Sequence, residues 1–224
     1  MFDLVEKLAR YNDLMISGSL ETLYMVVMSL FFAIVGGIPL GVLTTITRQN
    51  HILPNKSLNY ILDVIINIGR SIPFIILMVA VIPFTRMIVG TSIGTNAAVV
   101  PLSMAAIPFM GRVADNAILE IDHGVIESAQ SMGASPLQIV FKVLLPESLP
   151  AIILGLTLTA INLVSYSAMA GAIGGGGLGD IAIRYGYQRF QLGVMLETIV
   201  ILILMVQAFQ FLGNKIASFF DHRA

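Results

Sequence analysis

Cysteine is absent from this chain, which excludes a disulfide framework, a thiolate nucleophile and a Cys-based zinc site. The histidines His51, His123 and His222 lie far apart and offer no metal-ligand spacing. Charge is scarce too. Only 11% of residues are Asp, Glu, Lys or Arg and the net charge is -1, so neither nucleic acid nor anionic lipid is implied as a partner. No Gly-x-x-x-x-Gly-Lys-Ser/Thr occurs, so nothing here cradles ATP phosphates. Gly174-x-Gly-x-x-Gly179 matches the dinucleotide fingerprint by letter, but it follows an apolar run and no βαβ unit surrounds it. The glycine run from Gly171 reads instead as a flexible, tightly packing turn. The N-terminus is no signal peptide, since Asp3, Glu6, Lys7, Arg10 and Asp13 interrupt any apolar h-region.

What remains is apolar. Hydrophobic residues make up 57% of the chain and the mean hydropathy is +0.90, against about 45–50% in ordinary soluble domains. The excess must face lipid, and a spanning helix needs roughly 20 mostly apolar residues. The reading is an all-α polytopic membrane protein with five spans, at about 20–46, 58–84, 93–113, 149–170 and 193–212. Residues 1–18 form an amphipathic interfacial helix with Phe2, Leu4, Val5, Leu8, Ala9 and Tyr11 on its apolar face. Residues 214–224 form a tail. Gly37-x-x-x-Gly41 in the first span offers a smooth strip for close helix contact. The third span, with Pro101 and Pro108 inside, has a length that equally fits a re-entrant segment. Positive charge is almost evenly shared between the two sets of loops, so it does not set the orientation.

Between the third and fourth spans lies a polar stretch, residues 122–146. Asp122 can cap a short helix, in which Val125, Ala129 and Met132 recur at i, i+4, i+7 as an apolar stripe. Gly133 suits the left-handed position that ends a helix. Ser135-Pro136-Leu137-Gln138 then has the form of a capping box with Pro at the first helical position. Leu137, Val140, Phe141, Leu144 and Leu145 continue an apolar face as far as Pro146, and the next span starts at Leu149-Pro150. On its own chemistry this is a well-capped helix-turn-helix.

The same stretch resembles the signature loop of permease subunits of ATP-binding-cassette importers. That family has Glu-Ala-Ala, a Gly four residues on, and Ile-x-Leu-Pro starting ten residues later; here stand Glu127-Ser128-Ala129, Gly133 and Val143-Leu144-Leu145-Pro146. Ser128 and Val143 are small departures. Asp122 departs from the Pro common before the coupling helix. The resemblance implies a type I importer transmembrane domain over residues 19–213, with the loop docking on a separate ATPase. It further implies a homodimer, two ATPase subunits that bind ATP and Mg, and a periplasmic or lipid-anchored binding protein. No cofactor belongs to this chain, which is no enzyme. The location implied is the bacterial inner membrane, with a periplasmic N-terminus and a cytoplasmic C-terminus.

Further segments are similar to methionine importer permeases over about Leu14 to Gly213: Arg70-Ser-Ile-Pro-Phe-Ile-Ile-Leu77, Ile82-Pro-Phe-Thr-Arg86, Tyr166-Ser-Ala-Met169 and Tyr185-Gly-Tyr187. Gly171-Ala-Ile-Gly is a variant of the family's glycine turn. The implied substrate is methionine, L- and possibly D-. Alternatives are a permease for another amino acid or a betaine and, in a different class, a secondary transporter, for which no inverted repeat is visible. Polar groups inside a membrane are costly and are candidates for a pathway. Arg70 can meet a substrate carboxylate or pair with Asp63, Glu197 or a backbone carbonyl. Asn162, Ser165, Tyr166, Ser167 and Met169 can line a pathway or simply join helices.

Overall fold

The computed structural model describes the backbone of residues 2–220 and the side chains of residues 11–220, and these contain helices and turns but no strand. That outcome is what lipid demands, because backbone N–H and C=O groups without water must be satisfied within the segment. In chain order the helices are α1 (Phe2–Ile46), α2 (Lys56–Ser71), α3 (Phe74–Ala80), α4 (Ile82–Val89), α5 (Thr95–Leu119), α6 (His123–Ser131), α7 (Pro136–Ile139), α8 (Leu145–Gly171), α9 (Gly177–Ile181) and α10 (Leu192–Phe220). Two π-helical segments, Val140–Leu144 and Ala182–Tyr187, join α7 to α8 and follow α9. The apolar face expected on residues 2–9 and the end of the expected tail, residues 221–224, lie outside the described residues.

Four helical runs are long and apolar enough to cross a membrane: Tyr11–Ile46, Thr95–Leu119, Pro136–Gly171 and Leu192–Phe220. Lys56–Ser71 with Phe74–Ala80 passes the same test as a bent pair. The span read over 58–84, with Pro73 breaking it, consists of three helices, interrupted at Ile72–Pro73 and again at Val81. Pro73 has no N–H to give and pushes the preceding residue out of the helical region, and Ile72 is extended accordingly, at φ -81 and ψ 121. The prolines of α5 do not interrupt it: it runs as one helix through Pro101 and Pro108, long and apolar enough to cross a membrane. The helix that carries the span read at 149–170 begins earlier, since helical structure runs unbroken from Pro136 to Gly171. The π segment sits just before Pro146. There the Leu145 N–H reaches back to the Val140 carbonyl, a widened turn that accommodates a ring which would crowd an ordinary α-helical turn.

The chain divides into two compact units, and the four long runs contribute to both. The first comprises the residues up to Leu30, Pro73–Ser103 and Ala160–Phe209. Its core gathers Met15, Leu178, Ile181 and Val194. Its glycine turn is held from α1. Glu21 Oε2 accepts from the Gly177 N–H at 2.6 Å and Thr22 Oγ1 from the Leu178 N–H at 2.9 Å. These two side chains satisfy the free donors at the start of α9, so the turn is tightly packed as expected but pinned instead of flexible.

The second unit comprises Phe31–Ile72, Met104–Thr159 and the residues from Gln210. Within it α1 lies directly on α5 through the Gly37–Gly41 strip. A Cβ on Gly37 would stand 2.6 Å from Met110 Cβ, and one on Gly41 would stand 2.6 Å from Ala114 Cβ while meeting the Gly111 carbonyl. Gly41→Leu is expected to destabilise the protein by about 1–3 kcal/mol through overpacking, read as a lowered melting temperature of the detergent-solubilised protein; an unchanged temperature would refute this packing.

Candidate functional site

The loop read from the sequence forms a capped hairpin in the second unit. Asp122 accepts from the Gly124 N–H at 2.7 Å and opens α6. At the other end Gly133 has φ +79. Its N–H reaches the Gln130 carbonyl at 2.9 Å, while the Ala134 N–H reaches the Ala129 carbonyl at 3.1 Å. Those paired bonds are the Schellman closure, in which the left-handed residue carries no Cβ penalty only if it is glycine. A capping box then starts α7: Ser135 accepts from the Gln138 N–H at 3.4 Å and Gln138 Oε1 accepts from the Ser135 N–H at 2.8 Å. Both helix starts and the end of α6 are thus capped.

The buried face of α6 differs from the stripe read in the sequence. Ile126 and Ala129 are buried, whereas Val125 is 42% and Met132 82% exposed. Ile126 and Ala129 pack with Val42 and Ile46 of α1, Ile118 and Ile121 around the end of α5, and Ile139, Val140 and Leu144. Val143 and Leu145 lie against the same cluster. The α1–α5 floor accepts the i, i+3 pair Ile126 and Ala129, one residue off the i, i+4, i+7 set. Leu137 and Phe141 are likewise exposed, at 71% and 65%, and the hairpin therefore presents Val125, Met132, Leu137 and Phe141 outward. Glu127 is exposed, with Oε1 3.5 Å from His123 Nδ1. Ser128 Oγ donates to the Gly124 carbonyl at 2.7 Å. Gly133 and Pro146 are exposed as well.

Beside the hydrophobic floor sits a charge cluster that composition gave no reason to expect. The Asp115 side chain is 0% exposed. It accepts from Thr45 Oγ1 at 2.8 Å, Arg48 at 2.7 Å and Arg112 at 3.0 Å. Arg112 also donates to Asp63 at 2.6 Å and Asn67 at 2.8 Å, both on α2. Removing one partner of a buried pair costs about 3–5 kcal/mol, because the other charge is left uncompensated. Exposed pairs contribute about 0–1 kcal/mol. Asp63 is 39% exposed, so the two carboxylates that meet Arg112 differ in their access to water.

The pathway candidates separate into groups. Asn162, Ser165, Tyr166 and Met169 recur at i, i+3, i+4, i+7 of α8 and share one face; Ser165 and Met169 are exposed, Asn162 and Tyr166 half-buried. Tyr166 stacks on Phe74 with centroids 4.6 Å apart. Ser167 points elsewhere. It is buried and donates to the Val164 carbonyl at 2.7 Å. Arg70 does not pair with Asp63, whose carboxylate is taken by Arg112; it lies exposed over the Phe109 ring at 5.8 Å. At about 100° per residue, Lys56, Tyr60, Asp63, Asn67 and Arg70 all fall on one side of α2. This polar stripe was legible in the spacing 56, 60, 63, 67, 70, and only its last member drew notice.

In the α1–α2 connection, His51 is held below its ordinary value of 6.5, first by burial and then by His123 and Arg48. His123 Nε2 meanwhile meets the Asn50 carbonyl at 3.1 Å. The folded state disfavours the protonated His51, so the unfolded chain binds more protons and stability rises with pH there. Acidification below about pH 6.5 is expected to loosen this connection, seen as faster amide exchange at residues 48–53 and abolished in His51→Gln; exchange insensitive to pH beyond its intrinsic dependence would contradict it.

Residues 37–224 match the family described as the binding-protein-dependent transport system inner membrane component. The probable D-methionine transport system permease protein MetI of Vibrio cholerae is 52% identical over 212 residues, covering 95% of this chain and 94% of that one. The D-methionine transport system permease protein MetI of Escherichia coli K12 is 54% identical over 158 residues, 70% of this chain and 73% of that one. Among solved structures, the inward-facing MetNI methionine ABC transporter superposes with a TM-score of 0.92 at 50% identity, covering 93% of this chain and 97% of that chain. An amino acid ABC transporter with histidines shares the fold at 20% identity, with a TM-score of 0.73 over 97% of both chains. A family match across most of the chain, on a helical membrane architecture with a capped loop, identifies the protein as a member of the inner-membrane components of binding-protein-dependent transport systems.

Proposed function

We propose that this chain is the permease subunit of an ATP-driven importer that moves methionine, L- and possibly D-, across the inner membrane. The observation that carries the reading is the likeness, at 50% identity and a TM-score of 0.92, to the MetNI methionine ABC transporter. The chain works as a homodimer with two ATPase subunits, which bind ATP and Mg, and a periplasmic or lipid-anchored binding protein delivers the substrate. The N-terminus is periplasmic and the C-terminus cytoplasmic. On the cytoplasmic side, the Glu127–Pro146 hairpin docks on the ATPase through Glu127 and the exposed Val125, Met132, Leu137 and Phe141. Closure of the ATPase pair around ATP draws the two hairpins together and hydrolysis resets them. For this to drive alternating access, ATP must bind the two states with different affinity.

The pathway candidates are the Asn162–Met169 face of α8 and, taken separately, Arg70 at the end of the polar stripe of α2. Arg70 is the cation that meets the substrate carboxylate. Its guanidinium carbon lies 5.8 Å from the Phe109 ring centroid, and a guanidinium suits a planar bidentate partner.

Labelled methionine uptake into proteoliposomes holding permease, ATPase and binding protein should require ATP; uptake without ATP, or none with it, would overturn the assignment. In Gly133→Val the left-handed turn is penalised by about 1–2 kcal/mol, enough to move the population of the docked hairpin roughly tenfold. Uptake should fall accordingly with the chain still inserted, and unchanged uptake and ATPase activity would sink the coupling role. Arg70→Ala should raise the half-saturating methionine concentration for ATP-driven uptake while leaving ATPase assembly intact; a purely structural Arg70 would instead lower the amount of assembled complex.

A further inference from the structure

Arg112 belongs neither to the signature loop nor to the pathway residues, yet it touches the surroundings of both. On one side it donates to Asp115, which is wholly buried and also held by Thr45 and Arg48. Asp115 stands one turn before Ile118, and Thr45 stands beside Ile46. Ile118 and Ile46 are part of the floor beneath Ile126 and Ala129 of the hairpin. The ends of α1 and α5 and the hairpin thus form one block. On its other side Arg112 donates to Asp63 and Asn67, in the middle of the polar stripe of α2.

We propose that Arg112 is a positioning residue for transport, anchored permanently in the hairpin block through Asp115 and latched releasably to α2 through Asp63 and Asn67. The asymmetry carries the inference. If α2 moves away, Arg112 keeps the carboxylate of Asp115, which it shares with Arg48, and Asp63, already partly exposed, gains water in exchange. Separation at Asp115 would instead take one of two counter-charges from a carboxylate that water cannot reach, leaving it with Arg48 and Thr45 alone. Motion between block and helix therefore parts the contact at Asp63 first. Nearer its start, α2 keeps a pivot, since Asn59 Nδ2 donates to the Thr44 carbonyl at 2.6 Å and the Asn55 N–H to the Thr47 carbonyl at 2.9 Å. Displacement of the hairpin is thereby handed to the helix that carries Arg70, and the latch holds α2 in the position seen here until it releases.

This inference rests on the coupling role proposed for the hairpin, and the test separates the two. The reconstituted importer, with ATPase and binding protein in proteoliposomes, is compared as wild type, Asp63→Asn with Asn67→Ala, Asp63→Glu, and Gly133→Val, reading methionine uptake per ATP hydrolysed. The double variant should assemble normally and hydrolyse ATP at least as fast as wild type, with uptake per ATP reduced several-fold, while Asp63→Glu restores most of the ratio. An unchanged ratio in the double variant beside a lowered one in Gly133→Val defeats the latch and leaves the coupling hairpin standing. An unchanged ratio in both defeats the coupling reading itself. Failure of the double variant to assemble, or a uniform fall in uptake and hydrolysis, makes the contact merely structural and also overturns the proposal.

Discussion

A carboxylate with no access to water organises the second unit. Asp115 persists as a buried charge because Thr45, Arg48 and Arg112 converge on it, and such convergence requires the end of α1 to lie against α5. Gly37 and Gly41 make that approach possible by removing side chains from the contact line. Once the two helices are locked, Val42, Ile46, Ile118 and Ile121 form a fixed apolar floor, and the hairpin has one place to sit. The charge cluster and the hydrophobic cluster are therefore not alternatives. One sets the register in which the other can form.

The second constraint is the backbone. Helices in lipid must satisfy their own donors and acceptors, and the prolines show how much local freedom that leaves. Pro101 and Pro108 sit within an unbroken α5. Pro146 follows a π turn that widens the helix. Pro73 ends one helix and starts another. The hairpin has no lipid to restrain it and obtains its rigidity from caps at Asp122, Gly133 and Ser135. That stiffness comes from hydrogen bonds within the loop itself.

The hairpin was the most legible part of the chain because its signals are local. Asp122, Gly133 and the Ser135–Gln138 box act within a few residues, so their spacing alone predicts their bonds, and all of them form. The buried face of α6 was read one residue off. Which face is buried depends on where the α1–α5 floor lies, and no periodicity within nine residues of α6 contains that. Ser167 was grouped with Asn162 and Tyr166 by polarity, but a serine in a helix can satisfy itself on the preceding turn, and Ser167 does so. Arg70 was given Asp63 as a possible partner by proximity in sequence, while Arg112, remote in sequence, takes it.

Composition and hydropathy alone determined that this is a helical membrane protein, since 57% apolar residues have nowhere else to go. Spacing alone determined the capped hairpin and the Gly37–Gly41 contact strip. Only the tertiary structure decided which carboxylate each arginine meets, which side of α6 is buried, and that the polar stripe of α2 is tied through Arg112 to the block that carries the hairpin. Caps and periodicity act within a turn or two of one helix, whereas ion pairs and buried faces depend on which helices become neighbours.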